Sequence, residues 1–106
     1  MPKYLFHGSY TQEGAQGLLK EGGTSRRATI EALAKSMGGS VEAFYFAFGE
    51  NDIYAIADLP DHASATALSI AVGATGSVML NTTVLITPEE VDEATKKTVG
   101  YRPPGQ

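Results

Sequence analysis

Two extended runs, Val41 to Phe48 and Asp52 to Leu59, follow one another with only Gly49-Glu50-Asn51 between them, and both are rich in β-favouring, apolar residues. That pattern predicts a hairpin. In the register that sets Phe48 opposite Ile53, Glu42, Phe44, Phe46 and Phe48 share one face with Ile53, Ala55, Ala57 and Leu59. Val41, Ala43, Tyr45 and Ala47 share the other with Tyr54, Ile56 and Asp58. A one-residue bulge changes which sets share a face, but in either register both faces are largely apolar. A sheet containing this hairpin therefore needs cover on both sides.

The flanking sequence supplies the rest of a small domain. Lys3 to Tyr10 reads as an aromatic strand that ends at Thr11. Between Thr11 and Lys20, Gly14 and Gly17 weaken any helix and Gly22-Gly23 breaks it, so a loop with a helical turn is expected. Thr24 or Ser25 is placed to cap the next helix, where Ile30, Leu33, Ala34 and Met37 form an amphipathic stripe closed by Gly38-Gly39. Pro60 ends the second run of the hairpin and Asp61 sits at a cap position. An alanine-rich helix follows through Ala63, Ala67, Leu68, Ile70, Ala71, Val72 and Ala74. Ser77 to Ile86 is a fourth strand, with Val78, Leu80, Val84 and Ile86 on one face and Met79 and Leu85 on the other. Thr87-Pro88-Glu89-Glu90 is a capping box with proline at the first helical position, opening a short helix that uses Val91 and Ala94.

The order strand, helix, strand, strand, helix, strand is that of an α+β ferredoxin-like β-α-β-β-α-β domain with a four-stranded antiparallel sheet. One domain is expected over residues 1–99, followed by a polar C-terminal tail, 100–106. Both long helices lie on one face in this arrangement. The other apolar face is left open, and we expect a homodimer or higher homo-oligomer in which two sheets pack face to face.

Composition narrows the chemistry. Eight Lys and Arg against twelve Asp and Glu give a formal charge of −4, without the basic footprint of a nucleic-acid binder. With no Cys, thiolate metal sites, iron–sulfur clusters and cysteine nucleophiles drop out, and two separated histidines make a poor zinc site. Neither a phosphate-binding glycine loop nor a Gly-x-Ser-x-Gly elbow occurs, and no cofactor or metal is expected. The start of the chain does not read as a signal peptide and no apolar run is long enough to span a bilayer, so a soluble, cytoplasmic protein without nucleic-acid or membrane partners is expected.

The residues that stand out chemically are few. His7 lies in an apolar strand, where it is either a general base or acid or a core-edge histidine bonded to a carbonyl. Asp58, between Ala57 and Leu59, is either the orienting partner of His7 or a strand-end carboxylate that reaches water or caps the next helix. Tyr45 and Tyr54 fall on the same face as Asp58, as ligand donors or as core residues. Arg26 and Arg27 open a helix at the end where cations are disfavoured, which points to a bound anion or to an acidic partner side chain. His62, beside the Asp61 cap, is expected to be solvated, and Asp52 to fix the hairpin turn through its side chain.

Several of these segments together resemble the GYD domain family. The resemblance rests on Ser9-Tyr10-Thr11, Arg26-Arg27, Phe44-Tyr45-Phe46-Ala47-Phe48, Gly49-Glu50-Asn51-Asp52 and Leu59-Pro60-Asp61, and it extends from Lys3 to Glu90. Asn51 stands where the Gly-x-Tyr-Asp signature has tyrosine. The resemblance implies a ferredoxin-like fold of the dimeric α/β barrel type, but no particular reaction, because that fold serves small enzymes, monooxygenases and ligand-sensing modules alike. Three functions remain open on sequence alone. The chain is a small oligomeric domain binding an organic molecule in a pocket beside the sheet, a cofactor-free enzyme using His7 and Asp58 for proton transfer, isomerisation or oxygenation, or a structural, partner-binding subunit.

Overall fold

A computed structural model describes residues 1–106. Its strands are β1 (Lys3–Tyr10), β2 (Ser40–Phe46), β3 (Ile53–Asp58) and β4 (Val78–Leu85), and its helices α1 (Gln12–Glu21), α2 (Gly23–Ser36), α3 (His62–Ala74) and α4 (Pro88–Thr95). All strand pairs are antiparallel in the order β2-β3-β1-β4, the ferredoxin-like arrangement.

Alternation along β1 and β3 divides the sheet. Tyr4, Phe6, Ala55 and Ala57 point to one side, where they pack with Leu59 and with Ala65 and Leu68 of α3 into the core. Leu33 of α2 and Met37 at its C-cap close over them, so the stripe expected for that helix is the one it buries. Asp61 caps α3 by accepting from the Ser64 N–H at 2.8 Å. Thr87 and Glu90 exchange both capping-box bonds, each at 3.1 Å, at the start of α4. None of the residues of α4 is buried, and the chain is drawn out to 58 Å along its longest axis.

The structure corrects three local expectations. The stretch after Thr11 is a ten-residue helix, not a loop with a single turn. Thr11 caps it by accepting from the Gly14 N–H at 3.2 Å, and Gly14 is there for contact rather than flexibility. A Cβ at Gly14 would lie 2.0 Å from the Ser77 carbonyl oxygen, so only glycine lets α1 approach the start of β4. Secondly, neither Thr24 nor Ser25 caps α2. Its N-cap is Gly22, at φ 85°, which makes no side-chain cap. Thirdly, Phe46 and not Phe48 pairs with Ile53, and the register shifts between Val41 and Ala43. The two-residue offset leaves the alternation intact. The bulge at Glu42 then turns Val41 toward the helices and frees Glu42 to meet Lys3 on the other side. Phe48 lies beyond the strand, fully exposed.

Candidate functional site

The sheet side away from the helices carries four of the residues singled out by the sequence. His7 is paired with Tyr54 on β3 and with Asn81 on β4. Its ring stacks on Tyr54 with centroids 6.1 Å apart and planes at 12°. Its Nε2 lies 3.4 Å from the Thr83 hydroxyl, and its buried Nδ1 has no hydrogen-bond partner. Tyr45 faces Tyr54 across the hairpin. The Tyr54 hydroxyl accepts from the Asn51 amide at 3.4 Å, so the residue at the signature tyrosine position contacts this aromatic group.

Asp58 is on the same side but is paired with Lys3, four positions along the ladder from the His7–Tyr54 pair. At about 3.3 Å per residue that is a separation of about 13 Å. The Lys3 ammonium donates to Asp58 at 2.9 Å and to Glu42 at 2.6 Å, tying three strands together at one end of the sheet. The two carboxylates hold the Lys3 ammonium above its ordinary pKa, with Glu42 contributing most. The structure therefore does not bring His7 and Asp58 together as a dyad. Its two exposed tyrosines and exposed Met79, with Leu5 and Ile56, make an apolar patch on the open side beside the polar Ser9, Asn81 and Thr83, with one charged end.

A cavity lies on the other side, between the helices and the sheet. Its volume is about 40 Å³, and twelve of its thirteen lining residues are hydrophobic, Phe6, Ile30, Phe44, Leu68 and Val72 among them. The thirteenth is Arg26. This arginine sits four residues before Ile30 and eight before Ala34, and so belongs to the same stripe of α2. Arg27, one residue on, is exposed beside Phe44, Tyr45 and Phe46. The two arginines paired in the sequence thus serve different surfaces.

Arg26 also lines a more polar pocket of about 280 Å³ with Tyr10, Glu13, Glu21 and Ser77. Its one ion pair, with Glu21, is long at 3.8 Å. The Tyr10 hydroxyl is buried there without a hydrogen-bond partner. Burial pushes its pKa up, while the nearby Arg26 pulls the other way, so at neutral pH it is a proton donor. The ring of Tyr10 stacks on Phe46 at 6.4 Å.

Sequence reasoning did not single out Tyr10 as a site residue, although its place two residues past Gly8 and four past Phe6 puts it on the helix side. Asp52 works differently from its expected role. Its carboxylate accepts from the Tyr10 N–H at 3.0 Å, anchoring the hairpin to the end of β1. His62 is exposed, as expected of a solvated residue, yet its Nδ1 is bonded to the hydroxyl of buried Tyr4.

The GYD domain family model matches residues 4–95. This chain belongs to the GYD domain family. No curated protein and no solved structure matches it. The match takes in every strand and helix of this GYD domain from Tyr4 to the end of α4. None of its helices is long and apolar enough to cross a membrane.

Proposed function

We propose that this GYD domain binds a small organic molecule in the cavity between α2, α3 and the sheet, and that it does so as a homodimer joined through the open sheet side. The observation that supports the ligand is the cavity itself. Apolar walls with a single polar group at one end are how small-molecule sites are furnished. The dimer is supported by the exposed Tyr45, Tyr54 and Met79 on the open side, which a single helical layer leaves bare.

Titrating hexan-1-ol into ¹⁵N-labelled protein tests the ligand reading. Amide shifts should gather at cavity residues such as Phe6, Ala34, Ala55 and Leu68. Shifts confined to Tyr45, Tyr54 and Met79 would place binding on the open side and overturn the reading.

A catalytic reading has one observation in its favour, the unpartnered and buried Nδ1 of His7. Without Asp58 in reach, His7 would act alone as the proton acceptor, oriented by its stacking on Tyr54. That reading requires a His7→Gln variant to lose a turnover that the cavity variants retain.

A further inference from the structure

We propose that the cavity is selective for an apolar molecule carrying one carboxylate, whose oxygens accept from the Arg26 guanidinium and the Tyr10 hydroxyl. The inference rests on the ligand reading above and adds the chemical class of the ligand.

Arg26 lines both the apolar cavity and the polar pocket, and Tyr10 lines the polar pocket beside it. The Tyr10 hydroxyl is buried with no partner, and a buried hydroxyl left unbonded is costly. Both groups offer protons, and beyond the Arg26 guanidinium that lies close to the Tyr10 oxygen, neither has a well-placed partner on the chain. Glu21, the only carboxylate paired with Arg26, stands 3.8 Å away with about half of its side chain exposed, a contact too long and too wet to hold the guanidinium firmly. A ligand carboxylate supplies the missing acceptors, and the planar fork of an arginine matches its two oxygens.

Position supports the same conclusion. The stripe of α2 that faces the sheet is Arg26, Ile30 and Ala34, so a cation occupies a place where an apolar residue would close the cavity. An amine would meet Arg26 as a like charge, and an alcohol would offer one neutral oxygen where a carboxylate offers two that share a negative charge. The cavity volume sets the shape of the apolar part. About 40 Å³ is roughly three times what one water needs, so it takes the end of a slender alkyl chain and no fused ring system, with the carboxylate end in the adjoining polar pocket that Arg26 and Tyr10 line.

The test compares three probes of one chain length, hexanoate, hexan-1-ol and hexylammonium, by NMR titration of the intact protein. Hexanoate is expected to bind about tenfold more tightly than hexan-1-ol, the least that a charge-assisted bond to a buried donor provides, and hexylammonium most weakly. In Arg26→Gln the preference for hexanoate over hexan-1-ol should be largely lost. Arg26→Lys should restore part of the preference, and Tyr10→Phe should lower it severalfold. Equal binding of hexanoate and hexan-1-ol to the wild type overturns the carboxylate inference while leaving the cavity reading standing. A preference that survives Arg26→Gln in a variant with native amide dispersion also overturns it. Failure of all three probes overturns both readings.

Discussion

Ala55→Val asks directly whether the space under the sheet is a cavity. Ala55 is buried on β3, lines the cavity and pairs with Phe6 and Phe44 on either side. Two added methyl groups would project into the void from a strand, where a β-branched residue is well accommodated. Filling the 40 Å³ at about 24 cal/mol per Å³ recovers about 1 kcal/mol. Denaturant unfolding at a fixed protein concentration should show the midpoint rise by that amount with an unchanged slope. In the same variant, hexan-1-ol and hexanoate should both lose binding. The opposite sign is just as informative, because forcing methyl groups into a close-packed core costs about 1–3 kcal/mol. Destabilisation in that range, with hexan-1-ol binding untouched, would refute both the cavity and the site built on it.

Other perturbations separate the remaining claims. Gly17 has open space around its would-be Cβ, so Gly17→Ala in α1 should stabilise by about 1 kcal/mol. Gly14→Ala on the same helix should destabilise, because its Cβ collides with the Ser77 carbonyl; equal effects in thermal unfolding would contradict the packing of α1 on β4. Thr11→Ala should cost about 1 kcal/mol through loss of the α1 cap, with Thr11→Ser recovering most of it. Ile56→Glu places a charge in the middle of the open side and should convert a species of twice the 11.2 kDa chain mass into monomer by light scattering. The Asp61 carboxyl is held below its ordinary value of 3.8, chiefly by the Ser64 N–H. Its contribution to stability is therefore complete above pH 3.8 and is lost as pH falls through the lower folded value. Asp61→Asn should flatten that part of the acid-unfolding curve, and an unchanged curve would show that the cap carries no charge dependence.

The elements that sequence placed well are those whose signals are local. The hairpin, the Asp61 cap, the Thr87 capping box and the stripe of α2 each depend on residues within a turn or two of one another. The errors came where a distant partner sets the local choice. Gly14 reads as a helix breaker until the Ser77 carbonyl lies against it. The bulge at Glu42 sets its carboxylate against Lys3, 39 residues away, a pairing that no local pattern announces.

The candidate site divides along the same line. By itself the sequence determined that this is one α+β sheet with apolar residues on both faces, because alternation and helical periodicity are properties of neighbouring residues. It also supplied Arg26, His7, Tyr54 and Asp58 as residues worth locating. Only the tertiary structure decided that Asp58 belongs to Lys3 and that His7 and Arg26 lie on opposite sides of the sheet. It also decided that an arginine from α2 lines an apolar cavity and shares the polar pocket beside it with a tyrosine from β1. Strand register and helix docking choose those neighbours, and both are fixed by contacts between residues that sequence order keeps far apart.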